Sequence, residues 1–337
     1  MVTPVHSSLE AIDRLLDRMD RLHSSPAVAY RVLELLKNPE FDIQEVAGLL
    51  ETDPALAASI LRLVNSSCHG LTHPIASIPQ AVAYIGTRSL RLAVLSFGLV
   101  DRLTRGTPQL VCRDYWRRAM TMASAAAQLC TTPLDMNAVL LGDAVEQVPP
   151  DEAYSAGLLA DIGVLVLAQV ETEQYVAMYD ELGHGSELVQ AERREFGFSH
   201  ATLGAKLLAQ WKLPTRLTLA VARHDSVKSP PSSMVGRAVV AADLLADALW
   251  TPQSPRLPEA QAFLAENFDL DIDGFISLAV ACKADIARNS ELFRVELTGS
   301  IDCEELRNQA SNRFRIEAME TAMDWDSMTA FREHDYS

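Results

Sequence analysis

Apolar residues recur at helical spacing along almost the whole chain. Leu9, Ile12, Leu15, Leu16 and Met19 mark one face of a first helix. Pro26 opens a second helix, which ends near Asn38-Pro39. Asp42 with Glu45 predicts a capping box for a third. Asp53-Pro54 is an N-cap followed by proline at the first helical position, and it opens a helix to about Ser67. Ser77 and Pro79 repeat that device. Gly86 ends this short helix, and Thr87 starts a longer one to about Leu103.

The stretch "DRLTRGTPQL" is the first break, and it predicts a seam within residues 101–112. A long helix follows from about Val111 to Cys130. A polar loop then leads to the apolar run "AGLLADIGVLVLAQV", Ala156 to Val170. Further helices are expected at 171–182, 187–196, 200–212, 214–224 and 233–250. "TPQSPRLP" at 251–258 is a second break, followed by helices at 258–267 and 272–289 and a polar, acidic tail. No run of alternating β-branched residues stands out. The pattern predicts an all-α, two-lobed protein with parts at 1–105, 106–250 and 251–337.

Apart from Gln169, Asp161 is the strongly polar residue of its apolar run. A carboxylate buried without a partner costs several kcal/mol or takes up a proton. A metal ion, a cationic side chain and a backbone cap are the three ways to satisfy it. The run itself reads as too short and too interrupted to span a bilayer.

Composition narrows the function. Ala and Leu are abundant and aromatics are only 6%, which suits packed helices. The formal charge of −16 argues against a nucleic-acid binder. From residue 251 onward, 17 Asp/Glu face 8 Lys/Arg, so that segment carries −9. Five scattered cysteines without a CxxC pair read as reduced thiols in a cytoplasm. No signal peptide is evident at the N-terminus.

No phosphate-cradling glycine loop and no nucleophile elbow are present. What remains is a set of acids and histidines on separate helices: Asp161, His200 in "SHATLGAKLLAQW", His224 in "AVARHDS", and Asp243 in "VVAADLLADAL". Such residues converging in a bundle core can bind a divalent ion. The bland alternatives are a helix cap for His200 and an arginine or backbone partner for each Asp. Asn65 reads as a helix end, His69 and His73 as loop histidines or part of a binding face, Arg88 and Arg91 as solvated helix charges or contacts for an anionic partner, and Trp116 and Trp211 as core.

The order of these pieces resembles the HDOD family, the regulatory branch of the HD phosphohydrolase superfamily. The resemblance rests on "SSPAVAYRVLELLKNPEFDIQEVAGLLETDPALAASILRLVNSSCHG", "HPIASIPQAVAYIGTRSLRLAVLSFGL", "YWRRAMTMASAAAQL", "AGLLADIGVLVLA", "FSHATLGAKLLAQWKLP" and "AVARHD", and covers about residues 22 to 250. It implies that the ancestral Leu-Leu-His-Asp-Ile-Gly motif has become "LLADIG", with Ala160 in place of its histidine and Asp161 retained. It also implies that Arg118 holds an upstream ligand position, and that His200, His224 and Asp243 fall at later ones. Alanine cannot coordinate an ion and arginine repels one.

The resemblance therefore implies a non-catalytic, cytoplasmic signalling module with a vestigial metal site at Arg118, Ala160, Asp161, His200, His224 and Asp243. No bound metal or other cofactor is expected. The partner would be a protein of a two-component, chemotaxis or cyclic-di-GMP pathway, or a nucleotide second messenger, with no membrane or nucleic acid. The competing reading is a residual metal-dependent phosphohydrolase using Asp161, His200, His224 and Asp243. At the site itself, the expectation is that Arg118 pairs with Asp161; the alternative is that Arg118 points to solvent and Asp161 bonds water or His224.

Overall fold

The computed structural model describes residues 5–22, 27–65, 75–104, 106–131, 150–211, 213–293 and 295–312, and among these every regular element is a helix. His69, His73 and most of the acidic tail lie outside the described residues.

The first part comprises α1 (Val5–Leu22), α2 (Ala27–Leu35), α3 (Ile43–Glu51), α4 (Pro54–Val64) and α5 (Ile78–Ala93), a π-helix over Val94–Val100, and α6 (Asp101–Thr104). Asp42 and Asp53 cap α3 and α4 with their side chains. Gly86 sits at φ 75°, ψ 161° and kinks α5, so the expected boundary there is a bend within one element. The Asn65 side chain bonds both Ile75 N and Ile75 O, at 2.7 Å each. Arg91 donates to Leu36 O at 2.9 Å, closing the chain after α2, and Arg88 pairs with Asp151. Neither arginine is a purely solvated charge.

The second part begins with α7 (Gln109–Thr131), followed by α8 (Pro150–Leu159), α9 (Ile162–Val170), α10 (Thr172–Leu182), α11 (Ser186–Glu195), α12 (His200–Gln210), α13 (Thr215–Ala222) and α14 (Met234–Ala248). Two more helices, α15 (Arg256–Phe268) and α16 (Ile272–Phe293), come after it. The segment expected to begin the polar tail forms one further helix, α17 (303–312). It buries Leu306 and Ala310, with Ile301 just before it, in the main core. Helix α7 is the central strut. It packs against α8, α14 and α16, while α9 lies on α12. Trp211 is core, as expected, whereas Trp116 is half-buried.

Residues 150–170 are long and apolar enough to cross a membrane, with mean hydropathy 1.6, so they are not too short. Yet 94% of that stretch is buried within the fold, where it acts as a core element. It is also two helices, not the single one the apolar run suggests. The break falls at Ala160–Asp161, between α8 and α9.

Two glycines set how closely these helices approach. A Cβ on Gly157 would lie 2.5 Å from Met122 O of α7, and one on Gly163 would lie 2.0 Å from His200 O. Helices α8 and α9 are thus pressed backbone to backbone against α7 and α12. Gly163→Ala is expected to push α9 off α12 and cost about 1–3 kcal/mol of stability. Chemical denaturation of the variant measures this; an unchanged midpoint would contradict the close approach.

Candidate functional site

The break between α8 and α9 places Asp161 at the N-cap of α9, but its side chain makes no capping bond. It turns to the interior instead. Asp161 and Arg118 are each about 1% exposed. Arg118 Nε donates to Asp161 Oδ2 at 2.8 Å, the pairing expected from the sequence. The same guanidinium also donates to Asp243 Oδ1 through Nη2 and to Asp247 Oδ1 at 2.7 Å through Nη1. A planar fork of donors suits this three-way bridge, which a point-charge lysine could not make.

A second arginine completes the network. Arg256, on the first turn of α15, donates to Asp243 Oδ2 at 2.8 Å and to Asp247 Oδ2 at 3.0 Å. Both carboxylates therefore lie between two guanidiniums. Asp243 and Asp247 are four residues apart on α14 and share one helix face. The sequence reading included Asp243 but missed Asp247, although "DLLAD" carries that spacing. It also missed Arg256, placed within a predicted break.

The histidines approach the other oxygen of Asp161. His224, in the turn after α13, has Nε2 3.2 Å from Asp161 Oδ1, and His200 Nε2 is 3.7 Å from the same atom. The two Nε2 atoms are 3.3 Å apart. Oδ1 accepts no hydrogen bond of normal geometry, so these are ionic contacts around an otherwise unsatisfied buried atom.

Each imidazole is anchored from behind. His224 Nδ1 donates to Val221 O at 2.8 Å. His200 Nδ1 donates to the Glu192 carboxylate, 2.8 Å from Oε2, and His200 N donates to the same oxygen at 2.8 Å. Glu192 is fully buried and also receives Tyr175 OH at 2.7 Å. Glu192 and His184 were both missed. His184 packs edge-on to Tyr179 and lies 4.0 Å from Asp161 Oδ2. Ala160 is buried and contributes no donor atom.

Burial opposes charge on every one of these groups, and the neighbours outweigh it at all of them but His184. Arg118 holds Asp161 well below the carboxylate range, helped by His184 and His224. Arg256 and Arg118 bring Asp243 down to about 2. Burial, reinforced by Arg118, lowers His184 to about 4. At His224 the adjacent Asp161 outweighs burial and raises it to about 9. Glu192 likewise raises His200. A cleft of about 620 Å3 opens onto this cluster and is lined in part by His184, His200, His224, Asp243, Arg256 and Arg193.

The carboxylate side of the cluster does not fit a metal ion, because its oxygens are engaged by arginine. The Asp161 Oδ1, His200 and His224 group does offer three donor atoms within 4.8 Å of one another.

Arg118→Ala is expected to leave the aspartates facing one another and cost about 3–5 kcal/mol. Asp161→Asn combined with Arg118→Met should cost less than the sum of the two single changes. Urea denaturation of the four proteins tests this, and strict additivity would argue against the coupling.

The pH dependence has two limbs. The lowered carboxylates stabilise the fold above about pH 4, and this is lost as pH falls through about 2, the value for Asp243. The raised His224 stabilises it below its ordinary 6.5, and this is lost as pH rises through about 9. In chelator, thermal stability should therefore fall between pH 6.5 and 9, and the slope should flatten in His224→Gln. Identical slopes would contradict the assignment.

The chain matches the HDOD domain over residues 22–227. It is similar to an HDOD domain protein of unknown function from Geobacter sulfurreducens, 25% identical, with a TM-score of 0.61 over 86% of this chain and 99% of that one. A protein from Marinobacter aquaeolei, named as a candidate signal transduction protein, is 21% identical, with a TM-score of 0.61 over 91% of this chain and 65% of that one. A candidate phosphohydrolase from Shewanella amazonensis is 23% identical, with a TM-score of 0.59 over 83% and 97%. A curated relative, an uncharacterised protein of Treponema pallidum (strain Nichols), is 24% identical over 226 residues, 64% of this chain and 40% of that protein's length. The family match covers well over half of the chain, and the protein belongs to the HDOD domain family.

Proposed function

We propose that this HDOD protein is a non-catalytic signal-transduction module of the bacterial cytoplasm, acting by binding a protein partner or a nucleotide second messenger. The observation that carries the reading is the Arg118 guanidinium, bonded to Asp161, Asp243 and Asp247. HD-type hydrolysis uses metal ions to activate water and to clamp the phosphoester. Here a fixed cation neutralises the carboxylates that would hold such ions, and Ala160 supplies no ligand. The signalling context of the similar Marinobacter protein agrees with this role.

On this reading the chain divides into an N-terminal helical lobe at 1–105, an HD-like lobe with a degenerate site at 106–250, and C-terminal helices from 251. Arg256 ties the third part to the second through Asp243 and Asp247.

The competing reading, residual phosphohydrolase activity, is favoured by the open cleft beside His200 and His224. The two are separated by assaying a cyclic dinucleotide and a simple aryl phosphodiester with added manganese, magnesium or iron. No turnover is expected. Turnover that disappears in Asp161→Ala would overturn the regulatory reading.

A further inference from the structure

Helix α15 carries two apolar stripes. Leu257, Ala260, Phe263 and Leu264 are buried in the main core. Pro258, Ala262 and Ala265, at i, i+4 and i+7, share a second face, and Ala262 and Ala265 on it are exposed. That face is one wall of a groove of about 440 Å3. Leu270, Ile272 and Phe275, from the turn between α15 and α16 and the start of α16, line it together with Ala310 of α17.

Hydrogen bonds hold these walls in place. Asp269 adopts a left-handed conformation at φ 52° and ends α15, and Leu270 N donates to Leu264 O at 3.3 Å. Asp271 Oδ1 accepts from Gly274 N at 2.8 Å and caps α16. Arg307 of α17 donates to Asp273 Oδ1 at 2.8 Å. The groove is separate from the cleft at the arginine cluster. Arg256 and Glu259 of α15 line the cleft, whereas Ala262 and Ala265 line the groove.

Charge decides what fits there. Residues 257–282 contain Glu259, Glu266, Asp269, Asp271 and Asp273 and no Lys or Arg. All five acids are exposed, and three of them lie along the turn that forms the groove wall. A second copy of this chain would bring a net charge of −16 against that rim. The segment 313–337 holds six Asp/Glu against three Lys/Arg, so it too has the wrong sign. A basic partner complements the rim.

We propose that this groove, which lies beyond the HDOD match, docks an amphipathic helix of a partner protein, with apolar side chains in the groove and Lys or Arg facing the rim at Asp269–Asp273. The proposal rests on the reading of the protein as a partner-binding module and gives the partner's chemistry. A helix laid in a groove anchors through apolar residues at i, i+3, i+4 and i+7, and charge at the rim sets its orientation and selectivity.

The test uses the full chain and a fluorescein-labelled helical peptide of about 16 residues, with leucines at i, i+3, i+4 and i+7 and lysines on the other face. Fluorescence anisotropy reads binding, and circular dichroism checks that each variant is folded. Saturable binding of one peptide per chain is expected. Ala265→Arg, which puts a long cationic side chain across an exposed wall, should weaken binding by about tenfold or more. Glu266→Gln combined with Asp271→Asn should weaken it about 3–10-fold, with asparagine preserving the α16 cap. Raising NaCl from about 0.05 to about 0.5 M should weaken it in the same way. Absence of saturable binding, or equal affinity in folded Ala265→Arg, would overturn the proposal. So would equal affinity for a scrambled peptide of the same composition, or for one with glutamates in place of the lysines. Equally tight binding of a peptide of residues 313–337, or self-association of the full chain that Ala265→Arg abolishes, would assign the groove to this chain instead. Phosphoester turnover would sink the regulatory reading and leave the groove standing; a failed peptide titration would do the reverse.

Discussion

A single guanidinium in the interior organises the helices packed around α7. Arg118 is fully buried near the middle of α7, and its three nitrogens reach aspartates on two other elements. Removing such charges from water costs several kcal/mol for each ion, and mutual attraction with complete hydrogen bonding offsets that cost. The bridge therefore adds little net stability, but it constrains the arrangement strongly. Helix α7, the α8–α9 junction and α14 must meet at one point or leave a bare charge in the core.

Backbone geometry makes that meeting feasible. Glycines let α8 and α9 contact their neighbours where any side chain would intrude. The interruption at Ala160–Asp161 turns what would be one long apolar helix into two short ones. A carboxylate at the break can face inward on its own, where a continuous helix would align it with its apolar neighbours. Arg256 then closes the network from a segment beyond the HDOD match, so the C-terminal helices help build the site as well as cover it.

The cluster has two distinct sides. Toward α14, carboxylates and guanidiniums are fully engaged with one another. Toward the cleft, the imidazoles of His200 and His224 stand against the remaining oxygen of Asp161.

Helical periodicity, the Asp and proline caps and the family resemblance were legible in the sequence, because each depends on residues a few positions apart. So was the anomaly of Asp161, since a lone acid in an apolar run demands a partner, and the resemblance pointed to Arg118. Asp247, Arg256, Glu192 and His184 were not legible as site residues. Each reads locally as an ordinary solvated or capping group, and only packing brings them to Arg118, Asp243, His200 and Asp161. Likewise, 303–312 reads as part of an acidic tail because its apolar positions are few; burial of Leu306 and Ala310 against the core makes it a helix. The sequence by itself determined the kind of fold and the need for a buried counter-charge. The tertiary structure decided which oxygen of Asp161 meets arginine and which meets histidine, because that depends on the angle at which separate helices cross.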